Sequence, residues 1–242
     1  MKPNHQILLA TLFAFAAVGC GGADTDADME MADDTADAAS MEADPTMAPE
    51  GAATGLPAGF ELRLDRSIDA ASDFHVTEMG GGWHIETGPR AIMYNMADNT
   101  VESGDYTVSA SFTEIGAPPN HREALGLIFG GQNLQSPDYT YSYFVVRATG
   151  EYLIKKRIGE ETEDVTEGWV ASDAVNAATP DGADVTNTLQ VQVMGDQVHF
   201  SINGTEVATM PAADLDVHGV AGIRMNHNLN VMVNDWNLTR GM

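Results

Sequence analysis

Alternation of apolar and polar side chains at every second position constrains the fold of this chain more than any other feature. The stretch 106–112 (YTVSASF) places Tyr, Val, Ala and Phe on one face and Thr and Ser on the other, and 188–194 (TLQVQVM) places Leu189, Val191 and Val193 opposite Gln190 and Gln192. A period of two is that of a strand with one buried and one solvated face, and it is typical of antiparallel sheets. The sequence after position 58 therefore predicts an all-β domain.

Turn residues separate the predicted strands. Asn203-Gly204 lies between two β-rich runs, and both residues accept the positive φ of a tight hairpin turn. Gly195-Asp196 and Thr149-Gly150 mark two more turns. The predicted strands are 60–64, 74–78, 83–86, 91–95, 105–114, 123–130, 139–147, 151–158, 165–170, 187–194, 197–202, 205–209, 219–225 and 230–240. So many strands exceed one open sheet, so we expect two packed antiparallel sheets in a jelly-roll sandwich.

The first nineteen residues predict an export signal. A basic start precedes an apolar run at 7–18, which is shorter than the roughly 20 residues that span a bilayer. The sequence 17–20 (AVGC) resembles the lipobox of bacterial lipoproteins, although Ala17 stands where leucine is usual. This resemblance implies cleavage before Cys20 and acylation of that cysteine. The alternative is an ordinary secretory signal.

Cys20 is the only cysteine of the chain, so it has no internal disulfide partner. Lipid attachment explains why an exported protein keeps one cysteine at its cleavage site. Each buried methylene of an acyl chain adds about 0.8 kcal/mol of membrane affinity, so several chains anchor a domain stably. Gly21 rather than aspartate follows, which favours a lipid-anchored position at the outer membrane of the cell envelope.

The segment after the lipidation site predicts a tether. Residues 21–57 contain ten acidic residues, no Lys or Arg and no aromatic residue. That composition buries too little apolar surface to offset the entropy of ordering. We therefore expect a signal peptide at 1–19, a lipidated cysteine with an acidic disordered linker at 20–57, and a β-sandwich domain at 58–242.

The predicted domain is also acidic. Residues 58–242 hold 26 Asp and Glu against 10 Lys and Arg, a formal charge of 10 − 26 = −16. Such a surface repels nucleic acid and anionic lipid. We expect no nucleic-acid partner and contact with a membrane only through the lipid anchor.

Four stretches carry a family resemblance: 123–131 (EALGLIFGG), 139–156 (YTYSYFVVRATGEYLIKK), 189–207 (LQVQVMGDQVHFSINGTEV) and 219–238 (GVAGIRMNHNLNVMVNDWNL). They resemble successive strands of concanavalin A-like jelly rolls, particularly laminin G-like bacterial domains and the 3-keto-disaccharide hydrolase type. The resemblance covers about 58–240. It implies a sandwich that binds glycans or hydrolyses them, with calcium at the rim in some members.

The resemblance also implies a ligand groove on the outward face of one sheet. If Ser142, Phe144 and Val146 point into the core, the alternate side chains of that strand point outward, and the opposite phase stays open. The predicted groove residues are Tyr141, Tyr143, Arg147, Lys155, Arg157, Arg224, Asn226 and Trp83. Aromatic rings stack on sugars, and Arg and Asn hydrogen-bond hydroxyls, so this set suits a polysaccharide or other glycan. The alternative is a solvated sheet face.

Catalytic residues are harder to find. The E-x-D-x-x-E pattern of laminarinase-type relatives does not occur, and Glu123 with His121 is the compact acid and base pair that a glycosidase would use. No zinc-ligand spacing appears among the histidines, so we predict no metal site from them. The resemblance implies structural calcium as the one candidate cofactor, and the oxygen-rich turns 96–105 and 179–187 offer carboxylates and carbonyls for it.

Three functions therefore stay open from the sequence. The first is a membrane-anchored lipoprotein whose sandwich binds carbohydrate or another envelope ligand without catalysis. The second is a hydrolase of glycosidic bonds of the 3-keto-disaccharide hydrolase type. The third is a structural or adhesive envelope protein.

Overall fold

The computed structural model describes residues 53–241. Within them lie sixteen strands, one short α-helix and two 3₁₀ turns, joined by turns and irregular segments. The predictions for the signal, for Cys20 and for most of the linker lie outside the described residues. In chain order the strands are β1 (Glu61–Leu64), β2 (Phe74–Met79), β3 (Gly82–Thr87), β4 (Ala91–Tyr94), β5 (Thr100–Val101), β6 (Tyr106–Glu114), β7 (Ala124–Gln132), β8 (Thr140–Arg147), β9 (Glu151–Ile158), β10 (Glu161–Asp164), β11 (Val170–Ala171), β12 (Val185–Met194), β13 (Gln197–Ile202), β14 (Thr205–Pro211), β15 (Gly219–Met225) and β16 (Asn230–Arg240).

The strands form two antiparallel sheets, as the alternation predicts. In the nine-stranded sheet the order is β1-β4-β15-β7-β8-β9-β10, with β5 beside β15 and β11 beside β9. In the seven-stranded sheet the order is β14-β13-β12-β6-β16-β3-β2. The prediction of an all-β, two-sheet antiparallel sandwich is therefore confirmed.

The main core lies between the sheets and is built from one alternate set of side chains on each strand. Along β6 every second residue is buried, from Tyr106 to Glu114. Phe144 of the nine-stranded sheet packs edge-on against Phe200 of the seven-stranded sheet, with ring centroids 5.2 Å apart. Burying such a side chain stabilises the fold by about 1.5–3 kcal/mol, so the inward phase of each strand is strongly fixed.

Turn chemistry places the hairpins where the sequence predicts them. Asn203 and Gly204 have φ of 52° and 79° between β13 and β14. The Asn203 side chain also accepts a hydrogen bond from Thr188 N at 2.8 Å. The turn is therefore held to β12 as well as closed on itself.

One predicted strand is wrong. Residues 165–170 do not continue as one strand, because Gly168 adopts φ of 73° and Thr166 bonds locally. Thr166 Oγ1 accepts from Ile154 N, 3.2 Å away. The edge is instead divided into β10 and β11, both paired with β9.

The one α-helix of the described residues, α1 (Met96–Asn99), is not foreseen from the sequence. The Asn95 side chain caps it by accepting from Ala97 N and Asp98 N at 3.0 and 3.1 Å. Between 53 and 241, no helix has the length and apolar character required to cross a membrane.

Candidate functional site

The outer face of the nine-stranded sheet carries a second buried cluster, whereas one face of an antiparallel sheet is commonly solvated. On β8, Phe144 points into the inter-sheet core and Tyr141 points outward, yet Tyr141 is 0% exposed. The strand phase left open by the sequence is thereby settled. We call this set the outer cluster; its members are Ile92, Tyr94, Ala124, Ile128, Leu134, Tyr139, Tyr141, Tyr143, Val145, Leu153 and Val220.

Segments between strands cover this face. Leu134 and Tyr139, from the connection between β7 and β8, are 1% and 3% exposed and belong to the outer cluster. Trp169, between β10 and β11, packs against its edge. The structure thus differs from the predicted open groove, because side chains of the chain itself occupy its centre.

A buried ionic network lies at the centre. Arg224 of β15 donates through Nη1 and Nη2 to the two oxygens of Asp65 at 2.9 and 2.5 Å. Arg224 Nη1 also donates to Tyr141 Oη at 2.8 Å. Arg157 of β9 places Nη1 3.8 Å from Asp65 Oδ2. The side chains of Arg224, Asp65 and Arg157 are only 7%, 8% and 10% exposed.

Asp65 and the arginines of this network each stabilise the ionised form of the other. Burial alone raises the pKa of Asp65, but the guanidiniums of Arg224, Arg157 and Arg90 outweigh it and lower that pKa to about 2. Burial alone lowers the pKa of Arg224, and Asp65 more than reverses that effect, so this pKa lies well above its ordinary value. The network is therefore fully ionised at neutral pH.

Tyrosine rings lie beside the guanidinium groups of this face. Tyr139 and Tyr141 are stacked with centroids 6.1 Å apart, and Tyr141 and Tyr143 follow at 5.8 Å. The Arg63 guanidinium lies 3.5 Å from the centroid of Tyr139, and that of Arg224 lies 5.0 Å from the centroid of Tyr143. Burial raises the pKa of Tyr141 and Tyr143, so both hydroxyls stay neutral.

The rim of the face includes one partly exposed cation, Lys155. Arg147 Nη2 lies 2.7 Å from Glu151 Oε2, and its guanidinium lies 4.1 Å from the centroid of a ring of Trp169. Lys155 Nζ lies 2.8 Å from Asp164 Oδ1, with the lysine side chain 22% exposed. Lys155 can therefore meet a ligand from solvent without any rearrangement of the centre, whereas the Arg147 side chain is only 11% exposed, close to the 10% of Arg157.

The structure gathers seven of the eight predicted groove residues on one face. Alternation places Tyr141, Tyr143 and Arg147 outward on β8, Lys155 and Arg157 outward on β9, and Arg224 outward on β15. Asn226 follows β15 in the same phase, and its buried Oδ1 has no hydrogen-bond partner among the described residues.

Trp83 does not join them. It lies on β3 of the seven-stranded sheet, in the same phase as the core residue Ile85, and is half-buried against the main core. Its ring packs edge-on against Phe60 at 5.0 Å and tilted against Trp236 at 6.4 Å. The glycines before it favour a turn, and the side chain then points inward.

His121 and Glu123 form separate pairs rather than one acid–base dyad. His121 Nδ1 lies 2.5 Å from Glu114 Oε1, and Glu123 Oε1 lies 3.0 Å from His227 Nδ1. Glu123 Oε2 is buried without a hydrogen-bond partner among the described residues. The two carboxylates therefore contact different imidazoles, and His121 and Glu123 do not share a proton.

The turns considered for calcium hold their own carboxylates. Asp98 accepts from Asn95 Nδ2 at 2.8 Å, and Asp181 accepts from Thr179. Across residues 53–241, no group of three or more His, Cys, Asp and Glu side chains is arranged to hold a metal ion.

Cations are concentrated on this face of an acidic domain. Six of the ten Lys and Arg residues after position 58 lie on or beside it, namely Arg63, Arg90, Arg147, Lys155, Arg157 and Arg224. The face therefore differs in electrostatic character from the remaining surface.

Sequence reasoning missed several residues of the cluster. Tyr139 has the phase of Tyr141 and Tyr143 in the predicted strand 139–147, so alternation could have identified it. Asp65 follows β1 and reaches Arg224 across a sequence separation of 159. No local pattern marks such a contact, because the sheet order creates it.

Solved structures share this fold. A Bacillus subtilis protein of unknown function with a galectin-like fold matches with a TM-score of 0.52 at 13% identity, over 75% of this chain and 89% of that one. The carbohydrate binding module CBM66 from Bacillus subtilis matches at 0.52 and 9%, over 78% and 99%. The potassium-bound carbohydrate recognition domain of Emp46p matches at 0.50 and 10%, over 76% and 89%.

At these identities the likeness concerns the fold. No family model matches the chain, and no curated protein matches it either.

Proposed function

We propose that this protein is a membrane-anchored, extracytoplasmic lipoprotein whose β-sandwich binds carbohydrate without catalysis, at the outer face of the nine-stranded sheet. The observation that carries the proposal is the row of Tyr139, Tyr141 and Tyr143 beside Arg157 and Arg224. Aromatic rings can stack on sugars, and guanidiniums donate to hydroxyl and carboxylate oxygens. Because Tyr139, Tyr141 and Tyr143 are only 3%, 0% and 6% exposed, a sugar reaches these rings only when the connection between β7 and β8 moves aside.

The fold supports the same proposal. Two of the similar structures are a carbohydrate binding module and a carbohydrate recognition domain. A shared fold does not fix function, so the chemistry of this face is the stronger support. A ligand first contacts Lys155 and Trp169 at the rim, and it extends toward the outer cluster as the covering segments move aside.

A glycan array probed with the full chain tests the binding proposal. Lys155→Gln and Lys156→Gln form a matched pair of variants, because the two lysines are neighbours on β9 with opposite phases. We expect Lys155→Gln to weaken binding and Lys156→Gln to leave it unchanged. Absence of binding to every glycan at millimolar concentration, or equal weakening by both variants, would reject this site.

The location is proposed from the sequence around Cys20. Attachment of lipid there, followed by the acidic linker, would hold the sandwich away from an outer membrane. Metabolic labelling with a radioactive fatty acid tests it: the wild-type chain should incorporate label and partition into detergent, and Cys20→Ser should do neither. Labelled Cys20→Ser would contradict attachment at this residue.

A second candidate is hydrolysis of a glycosidic bond. It is favoured by the unpartnered, buried Glu123 Oε2, because a carboxylate oxygen without a hydrogen-bond donor is suited to accept a proton. Release of sugar from a panel that includes 3-keto-glucosides, lost in Glu123→Gln, would establish it. No release from any substrate would leave binding as the function.

A further inference from the structure

The centre of the outer face contains more cations than its carboxylates balance. Arg157 and Arg224 share one carboxylate, that of Asp65. Arg63 adds a third guanidinium, which stacks on Tyr139 and donates to Leu134 O at 2.8 Å. Among residues 53–241, Asp65 is the only carboxylate that forms an ion pair with any of the three. We call Arg63, Arg157 and Arg224 the guanidinium cluster.

Other carboxylates near the face have their own partners. Glu61 accepts from Tyr94 Oη at 3.3 Å and from Gln135 Nε2 at 2.6 Å. Glu151 and Asp164 pair with Arg147 and Lys155 at the rim. Glu61 keeps its negative charge, because both of its donors are neutral. The three guanidiniums still outnumber the two carboxylates Asp65 and Glu61, which leaves a local excess of positive charge in a poorly hydrated place, where charges act strongly.

Asp65 occupies the position that a ligand carboxylate would take. Its two oxygens meet the two terminal nitrogens of Arg224, the fork geometry by which arginine recognises carboxylates. Asp65 Oδ2 also lies 3.8 Å from Arg157 Nη1. An external carboxylate placed there would gain the same contacts.

Asp65 stands at the end of β1, where Asp65 N donates to Arg90 O at 3.0 Å and continues the pairing with β4. The segment after it, 66–70, is weakly held, and its internal backbone bond is Asp69 N to Arg66 O at 3.2 Å. Ile68 at its tip is 76% exposed, so little apolar burial retains it. Segments with few contacts open at low free-energy cost. Movement of 66–70 would let Asp65 turn outward, and a ligand carboxylate in its place would restore the contacts to Arg224 and Arg157, so that no guanidinium is left unpaired.

We infer that the saccharide bound at this face is acidic, and that its carboxylate replaces that of Asp65 on Arg224 and Arg157. The inference rests on the proposed carbohydrate-binding function and narrows its ligand class. Because the domain as a whole has a formal charge of −16, an acidic polymer is repelled elsewhere and attracted only here. Charge then selects the face as well as the ligand.

The test uses the full chain with pairs of oligosaccharides that differ only at the carboxyl group. Oligomers of galacturonate, glucuronate, mannuronate and guluronate are each compared with the same oligomer after reduction of its carboxyls to hydroxymethyl groups. We expect at least one oligouronate to bind about tenfold or more tighter than its reduced form, the size of a charge-assisted hydrogen bond.

Single substitutions test whether the preference for oligouronates depends on the guanidinium cluster. Arg63→Gln should weaken oligouronate binding about tenfold, whereas Arg240→Gln, with the same charge change on β16 of the other sheet, should not change it. Asp65→Asn removes the competing carboxylate and should tighten oligouronate binding without affecting the reduced oligomer. If Asp65→Asn does not fold, the comparison of Arg63→Gln with Arg240→Gln still decides.

The outcomes distinguish failure of the acidic-ligand inference from failure of the carbohydrate-binding proposal. Binding of reduced oligomers or neutral glycans as tightly as the oligouronates would overturn the acidic ligand and leave carbohydrate binding intact. Failure of all acidic and neutral saccharides to bind at millimolar concentration would overturn both. Equal weakening by Arg63→Gln and Arg240→Gln would overturn the guanidinium cluster as the recognition site.

Discussion

The two outer faces of the sandwich are built from the same strand geometry but have opposite surroundings. On the seven-stranded sheet, the outward residues of β6 and β12 are Ser, Thr and Gln apart from the exposed Met194 at the end of β12, and hydroxyls pair across the strands, as in Ser111 with Thr188 at 2.7 Å. On the nine-stranded sheet, the outward residues include Tyr141 and Arg224, both nearly inaccessible. One face is a solvated surface, and the other is the floor of a covered site.

The difference shows how to interpret the outward phase of a strand. When that phase is hydroxyl and amide, as at 106–112, solvent is its partner. When both phases are apolar or aromatic, as on β8, a further layer covers the second face. A cation within such an aromatic phase then needs an anion from elsewhere, and Asp65 supplies it here.

The sharpest way to break this comparison is to remove Arg224. Arg224→Met leaves Asp65 in a poorly hydrated place with the more distant Arg157, and breaking a buried ion pair costs about 3–5 kcal/mol of unfolding free energy. Urea unfolding measures the loss. Arg240→Met on the other sheet is the control.

The double variant Arg224→Met/Asp65→Leu sharpens the result, because replacing both ions with apolar groups can be nearly neutral. Recovery of most of the loss would show that the unpaired charge, and not the missing bulk, is responsible. A single variant as stable as the wild type would show that the centre of this face is solvated like the other.

Acid should weaken one face and spare the other. The pKa of Asp65 is about 2 in the folded protein against 3.8 ordinarily, so its ionised form stabilises the fold above about pH 4 and this contribution fades as the pH falls toward 2. The expected loss is about 2 kcal/mol.

Urea unfolding of wild type and Asp65→Asn at pH 6 and pH 2.5 measures the effect. The advantage of the wild type should shrink in acid. A difference between the two proteins that is independent of pH would mean that Asp65 is not held in its charged form by the arginines.

Residues at the rim of the face should contribute less to the unfolding free energy than residues at its centre. Arg147→Gln loses the ion pair with Glu151 and the stack on Trp169, both partly exposed, and we expect a loss of about 1 kcal/mol. Thermal unfolding followed by tryptophan fluorescence checks it. A loss as large as that of Arg224→Met would show that the rim is as enclosed as the centre.

The smallest effect is expected on the solvated face. Ser111→Ala and Thr188→Ala remove a hydroxyl pair that water can replace, so each should change the unfolding free energy by no more than about 0.5 kcal/mol. Chemical denaturation of both single variants and the double variant tests this. A loss above 1.5 kcal/mol would indicate that this face is also covered.

The sequence predicts which strand residues share the outer face, but it does not predict the buried ionic network at the centre of that face. Alternation on β8 and β9 identifies Tyr143 and Lys155 as residues of one face, because register between neighbouring strands follows from short hairpins. Asp65 is not predictable in this way, since its segment has no periodicity and its partner lies on a strand far along the chain. Trp83 shows the converse, because adjacent glycines indicate a turn but not the direction of the side chain.

Hydrogen–deuterium exchange of the full chain, with and without the saccharide that binds most tightly, tests most directly which face holds the ligand. We predict that protection changes at 63–70, 133–147 and 222–228, which surround the guanidinium cluster. Protection confined to 107–113 and 186–192, on the seven-stranded sheet, would contradict binding at the covered face.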